Sequence, residues 1–280
     1  MFFERRNDMK YEVLNLRKEP INGFMPTLTT YILDEVKDCD SNRKLPAIIV
    51  CPGGAYSFCS KREAEIIALQ FTAAGYHAFV LDYAVAPKNH YPEPQKNLSD
   101  AISLVRNNAK EWRVDADKIA VIGFSAGGHL AASLATMWNK EPLKTKNGEN
   151  KPNAAILSYP VISSVEGVAH MGSFYNLCGE EKELIATLSL ETQVDSDTAP
   201  CFIWHTVADR SVPVENSLRF ATALNNAKIP FEMHIFPDGP HGLSVSNHIT
   251  AKDENYNVPE VQVWVKLAVN WLNRTFDYGN

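Results

Sequence analysis

The stretch Gly123-Phe124-Ser125-Ala126-Gly127, directly after the apolar run Lys118-Ile119-Ala120-Val121-Ile122, constrains this chain more than any other. A short apolar run, a turn with glycine two places on either side of a serine, and the small residues Gly128-His129-Leu130-Ala131-Ala132-Ser133-Leu134-Ala135 read as strand, tight turn and helix. In so sharp a turn the central residue takes a strained backbone conformation. A side chain two positions before or after it would collide with its neighbours, which favours glycine at both sites. The geometry holds the Ser125 hydroxyl at the C-terminal edge of a sheet with a helix N-terminus beneath it: a nucleophile elbow.

The surroundings suit such a turn. From about residue 45 the pattern alternates strand and helix. Strands are predicted at Ala47-Cys51, His77-Leu81, Lys118-Ile122, Ala154-Ser158, Cys201-His205 and Glu232-Phe236, and helices at about 60–74, 95–113, 126–138, 214–227 and 259–275. Short apolar strands separated by amphipathic helices imply an α/β fold, with a mainly parallel central sheet and helices on both faces. Residues 1–40 read as an N-terminal arm with two edge strands, Glu12 to Leu16 and Thr27 to Leu33. The polar stretch Asn139 to Pro152 reads as an exposed loop. Residues 163–199 break the rhythm with one short helix near Glu180 to Leu188, and such an insertion in an open α/β sheet tends to cover the strand ends where ligands bind, like a cap. Met171, Phe174, Tyr175 and Leu177 would line a pocket or anchor the loop. All 280 residues are expected to form one domain.

Composition narrows the partners. The chain is 45% hydrophobic and 21% charged with a net charge of −6, and it shows no basic stripe, so nucleic acid is not an expected partner. No apolar run approaches the roughly 18 residues of a membrane span, and Met1 to Asp8 lack the apolar core of a signal peptide. The five cysteines (Cys39, Cys51, Cys59, Cys178 and Cys201) are scattered without a C-x-x-C pair, and Cys51 and Cys201 fall in predicted buried strands. Neither a disulfide framework nor a zinc site is expected, and a cytoplasmic location is. Oligomeric state is left open, a homo-oligomer included.

A serine is a weak nucleophile until an oriented base takes its proton. For this kind of elbow the chain order is Ser, then an acid after a late strand, then His after the last strand. Asp209 lies in the loop after Cys201-His205, at the edge where Ser125 stands, whereas Asp195 and Asp197 precede that strand. His241 lies between turn residues just past Glu232-Phe236, in Pro237-Asp238-Gly239-Pro240-His241-Gly242-Leu243. His77, His205 and His234 are in or beside strands, His129 is in the helix after Ser125, His90 and His170 precede the acid, and His248 is the nearest rival. The expected catalytic set is therefore Ser125, Asp209 and His241. An oxyanion hole needs backbone N–H groups aimed where negative charge develops. Ala126 would give one, at a helix N-terminus. The glycine-rich loop Cys51-Pro52-Gly53-Gly54-Ala55-Tyr56 would give the others. Tyr56, His90, Tyr91, His170 and Tyr175 are candidate substrate contacts. The five tryptophans (Trp112, Trp138, Trp204, Trp264 and Trp271) read as packing residues rather than sugar platforms.

At these residues the chain resembles a known family. Pro52-Gly53-Gly54-Ala55-Tyr56 is similar to an HGGG-type loop, Asp82-Tyr83-Ala84-Val85-Ala86-Pro87 to a D-Y-R-L-A-P segment, and Gly123 to Gly128 to a G-x-S-A-G-G elbow. These mark the hormone-sensitive-lipase-like branch of the α/β-hydrolases. The blocks Trp204-His205-Thr206 to Pro213 and Pro240-His241-Gly242-Leu243 look more like the sugar-ester-cleaving members, the acetyl-xylan and xylan esterases. The resemblance covers roughly residues 45–275. It implies the α/β-hydrolase fold, a Ser125–Asp209–His241 triad, and Gly54, Ala55 and Ala126 as oxyanion donors. It further implies a serine carboxylesterase, without metal or organic cofactor, that removes acetyl or other small acyl groups, often from a sugar. Pro52, Ala55 and Ala84 depart from the lipase-like pattern, which has His, Gly and Arg there. Backbone N–H groups survive the first two changes, and the departures favour the sugar-esterase side. Two alternatives keep the fold: a prolyl-oligopeptidase-type serine peptidase, which usually carries a large extra domain that 280 residues do not accommodate, and a non-catalytic binding protein.

Overall fold

Eight strands pair into one sheet in the order β1-β2-β4-β3-β5-β6-β7-β8. They are β1 (Val13–Asn15), β2 (Thr27–Tyr31), β3 (Leu45–Cys51), β4 (His77–Asp82), β5 (Val114–Phe124), β6 (Ala154–Ser158), β7 (Cys201–Thr206) and β8 (Phe231–Phe236). The first two pairings, β1 with β2 and β2 with β4, are antiparallel, and every other pairing is parallel. This is the α/β-hydrolase fold, and the computed structural model describes residues 9–35 and 43–279 of it. The expectations for Met1 to Asp8 and for Cys39 fall outside those residues.

Why these runs form central strands follows from their two faces. Along β3, Ile48 and Val50 point into one core while Ala47, Ile49 and Cys51 point into the other. A strand covered on both sides has no polar face to show, so it reads as an unbroken apolar run. One core lies under α1 (Glu65–Ala73) and, after the short α7 (Pro259–Gln262), α8 (Trp264–Thr275). The other lies under α2 (Glu93–Asn107), α3 (Ala126–Met137) and α6 (Glu215–Ala227). Four tryptophans pack as expected: Trp204 stacks on Trp264 with centroids 5.1 Å apart, Trp112 stacks on Phe79, and Trp271 packs against Phe202. Trp138 is half-buried; its ring carries the Lys151 ammonium, and its Nε1–H donates to the Asp197 carbonyl. None of the helices among the described residues is long and apolar enough to cross a membrane.

Two expectations need correction. The insertion after β6 holds two helices, α4 (Met171–Cys178) and α5 (Lys182–Thr187), where the sequence pattern suggested one. Helix α4 is short, and its buried face is only Phe174, Leu177 and Cys178 beside Ser173, too little for periodicity to register. The polar stretch 139–152 is not wholly exposed. Leu143 and Asn150 are buried, and the Asn150 amide donates to the carbonyls of Trp138 and Leu143. A buried asparagine that closes a loop on itself looks like a surface residue in sequence.

The elbow depends on its glycines through distances. A methyl group at Gly123 would stand 1.9 Å from the Gly127 carbonyl oxygen, and one at Gly127 would stand 2.1 Å from the Cys51 carbonyl oxygen. Helix α3 can therefore meet the end of β3, and fold its first turn back over the end of β5, only with bare backbone at Gly127 and Gly123 respectively. Replacing Gly127 by Ala is expected to cost about 3 kcal/mol or more, since the atoms it meets are backbone. Gly172→Ala meets nothing closer than 3.5 Å and should stay within about 1 kcal/mol of the parent. Urea unfolding of both variants checks the pair.

Candidate active site

Ser125 sits between β5 and α3 with φ 54° and ψ −118°, a backbone conformation that L-residues rarely adopt. Three backbone bonds hold it there. Its N–H donates to the Ser158 carbonyl at 3.0 Å, and its carbonyl accepts from His129 and Val161, both at 3.1 Å. The side chain is 7% exposed. Its hydroxyl donates to His241 Nε2 at 2.7 Å. His241 Nδ1–H donates to Asp209 Oδ2 at 2.6 Å. Ser125, His241 and Asp209 come from the ends of β5, β8 and β7, so three separate strands deliver one chain of hydrogen bonds.

Asp209 is buried and fully bonded. Oδ1 accepts the backbone N–H groups of Ser211 and Val212, both at 2.9 Å. Oδ2 lies 3.4 Å from Nε2 of the buried His205, a contact the sequence did not suggest. The Ser217 hydroxyl donates to His205 Nδ1, and His205 Nε2–H reaches the Val212 carbonyl, which fixes the ring with its N–H edge toward the carboxylate. Burial works to raise the Asp209 pKa. Hydrogen bonds from His205 and His241, the charge His241 acquires on protonation, and the Val212 N–H outweigh it and hold the carboxyl well below the usual range. Asp209 is thus ionised throughout the range in which an imidazole titrates, as a partner for a transient imidazolium must be.

The loop after β3 runs beside the serine. Gly54, Ala55 and Tyr56 all have positive φ, at 131°, 53° and 57°. A methyl at Gly54 would lie 1.9 Å from the Phe58 carbonyl oxygen. The loop is tied from below: the Tyr83 hydroxyl donates to the Pro52 carbonyl at 2.6 Å, which gives the Asp82-Tyr83 segment a structural reason. Among the described residues, no acceptor takes up the N–H groups of Gly54, Ala55 or Ala126. Gly54, Ala55, Phe58, Ser125, His170 and His241 line a cavity of about 230 Å³.

Of the other candidate contacts, His170 alone reaches that cavity. The Ser173 N–H and hydroxyl both bond its Nδ1, which leaves the ring proton of the neutral form on Nε2. Burial first, then the neighbouring His241, lower its pKa. Tyr56 is buried, its hydroxyl 2.8 Å from Nδ1 of His129, whose pKa burial pushes down to about 4. His90 is exposed and binds the Asn176 carbonyl, the Tyr91 N–H donates to the Leu177 carbonyl, and Tyr175 is half exposed. These three fasten or flank the insertion rather than line the cavity. Arg62, Ser211 and Lys252 line it without any local sequence signal. Among the described residues, no group of three or more His, Cys, Asp or Glu side chains is placed to hold a metal ion.

The BD-FAE family profile matches residues 33–224. The chain belongs to the BD-FAE family. Within and around this family, it is 40% identical over 237 residues to endo-1,4-beta-xylanase B of Butyrivibrio fibrisolvens, covering 80% of this chain and 36% of that protein. It is 33% identical to the acetylxylan esterase of Xylanibacter ruminicola, covering 74% of this chain and 43% of the relative. The chain thus spans less than half the length of these two proteins. A solved structure matches end to end: an acetyl ester-xyloside bifunctional hydrolase from Caldicellulosiruptor lactoaceticus, 38% identical, with a TM-score of 0.85, covering 98% of this chain and 99% of that one.

The depressed Asp209 pKa has a sign that can be tested in this BD-FAE member. A carboxyl with a lowered folded-state pKa contributes stability that is complete above its unfolded value near 4 and is lost as pH falls toward the folded value. Asp209→Asn should be clearly less stable than the parent at pH 7, by about 2 kcal/mol, with the gap narrowing as pH drops below about 4. Denaturant unfolding across pH 3 to 7 reads the difference.

Proposed function

We propose that the chain is a serine carboxylesterase that removes acetyl or similarly small acyl groups from acylated sugars, acetylated xylo-oligosaccharides among them. The observation that carries this reading is the hydrogen-bond chain from Ser125 through His241 to Asp209, set beside three backbone N–H groups with no protein acceptor among the described residues. His241 Nε2 takes the Ser125 proton as Oγ bonds to the ester carbonyl carbon. The carbonyl π electrons move to oxygen, and the N–H groups of Gly54, Ala55 and Ala126 receive that charge. The intermediate collapses, the bond to the alcohol oxygen breaks, and His241 returns the proton to that oxygen. Water, deprotonated by the same imidazole, then releases the acid from the acyl-enzyme. Asp209 fixes the imidazole tautomer and balances its positive charge.

Two features support a small acyl group on a polar alcohol. The cavity at Ser125 is small, about 230 Å³. A larger groove of about 560 Å³ adjoins it, sharing the His241, Ser211 and Lys252 walls and adding Arg210, Asp238 and Asn255. His241 protonates the leaving alcohol, so the alcohol half departs toward the imidazole that both spaces share. Pro240, Tyr256 and Val258 line the groove as well, and apolar surface interspersed with a few charged and amide side chains suits the faces and hydroxyls of a sugar ring. His170 would offer its Nε2–H to a neighbouring sugar hydroxyl. The acetylxylan esterase and the acetyl ester-xyloside hydrolase among the relatives agree in substrate chemistry.

The test is acetate release from acetylated xylo-oligosaccharides, with Ser125→Ala alongside. The parent should release acetate, and the variant should lose about six orders of magnitude in kcat. Turnover of a simple aryl acetate without release from the sugar would keep the nucleophile and discard the sugar. Asn255→Ala, in the larger groove and outside the Ser125 cavity, should raise KM for the oligosaccharide about 3- to 10-fold, the loss of one hydrogen bond, while aryl acetate kinetics stay unchanged.

A further inference from the structure

The oxyanion loop, the elbow and the His241 loop come from different strand ends, yet their groups must agree in position to within a fraction of an ångström for the chemistry proposed above. One buried pair of side chains touches all three. Glu63 ends the short 3-10 turn Lys61–Glu63 and is 4% exposed. Its Oε2 accepts the Gly53 N–H at 2.9 Å, and its Oε1 accepts the Tyr159 hydroxyl at 2.6 Å. That hydroxyl accepts the Ser244 N–H at 3.0 Å, three residues beyond His241. The Tyr159 ring stands edge-on to His241, with centroids 5.1 Å apart, and tilts against Phe124, the residue before Ser125, at 5.9 Å. The preceding Arg62 reinforces the link, donating to the Gly242 carbonyl at 3.0 Å while the Ser244 hydroxyl donates to the Arg62 carbonyl at 2.6 Å.

We propose that Glu63 and Tyr159 are a positioning pair that fixes the oxyanion donors relative to His241. An apolar side chain would fill the volume of Glu63 without the desolvation cost of a buried carboxylate. What the carboxylate adds is two hydrogen bonds of charge-assisted strength and fixed direction. The loop needs such an outside restraint because Gly53 and Gly54 bring no side chains of their own. Gly53 must also stay bare: a methyl there would lie 2.7 Å from Glu63 Oε2. Holding the Gly53 N–H sets the entry to the peptide units that carry the Gly54 and Ala55 N–H groups. The Tyr159 hydroxyl carries the same restraint across to the segment that presents His241.

The proposal rests on Ser125 as nucleophile, so Ser125→Ala is assayed in the same series with an aryl acetate. Glu63→Gln keeps the size but cannot accept from both partners. Tyr159→Phe keeps the ring against His241 and removes the hydroxyl. Each should lower kcat about 10- to 100-fold with KM within about threefold, since misplaced donors act on the transition state. Inhibition by an arylboronic acid, whose adduct is tetrahedral, should weaken by a similar factor. The double variant should be no worse than the poorer single by more than about threefold, because the two act as one unit. If both folded variants keep kcat within twofold of the parent, or raise KM at constant kcat, or merely lower Tm, the pair is structural and the proposal falls. An active Ser125→Ala would instead overturn the nucleophile assignment, separately from the pair.

Discussion

The close approach of the α3 N-terminus to the end of β3 is the constraint on which the site is built. Bare backbone at Gly127 lets the helix start almost on top of the Cys51 and Pro52 carbonyls, and bare backbone at Gly123 lets its first turn fold back over the end of β5. That contact forces the positive φ at Ser125 and lifts its side chain clear of the sheet. The same contact brings the loop after β3 to Ser125, so Gly54 and Ala55 line the cavity that its hydroxyl faces. Strain of this kind costs about 1–3 kcal/mol and persists only when the surroundings over-determine it. Here three backbone hydrogen bonds to Ser125 and two packed cores supply that over-determination.

Electrostatics complete what sterics begin. Asp209 is desolvated, which alone would favour its neutral form, but donors approach it from several sides and keep it charged. His205 is half of that arrangement and never meets the cavity. Its imidazole is fixed by Ser217 and Val212 so that its N–H, rather than a lone pair, faces the carboxylate. Tyr159 has a comparable part on the other side of His241. His241 is thus held by the buried Asp209, with the buried His205 behind it, and packs against the buried Tyr159 ring.

Much of this was legible in the chain. The central strands were visible as apolar runs, and Ser125, Asp209 and His241 were visible because each follows a strand end at the edge the elbow selects. Such signals are local: a turn type, a strand end, a chain order. What stayed hidden depends on contacts between distant segments. Glu63 lies in Lys61-Arg62-Glu63, which has the composition of a solvated turn, and only the fold shows it buried between Gly53 and Tyr159. His205 reads as a strand histidine until Asp209 folds back onto it. Tyr56 carried the opposite error: an aromatic beside a glycine loop suggests a ligand contact, but its positive φ turns the side chain into the core against His129. Helix α4 was missed because so few of its residues are buried.

The insertion between β6 and β7 is stitched to the body at both levels of the site. The Asn176 amide donates to the Ala55 carbonyl at 2.8 Å, and His129 Nε2 binds the Leu188 carbonyl at 2.9 Å. The first of these bonds ends on the carbonyl of Ala55, whose own N–H, one peptide unit earlier, is a proposed oxyanion donor, and the same insertion carries His170 into the cavity wall. Selectivity and speed therefore share a backbone. Grafting this segment from one relative to another would not exchange a specificity module on an indifferent engine; it would retune the engine as well, and recovering the original rate would require the loop after β3 to be exchanged with it.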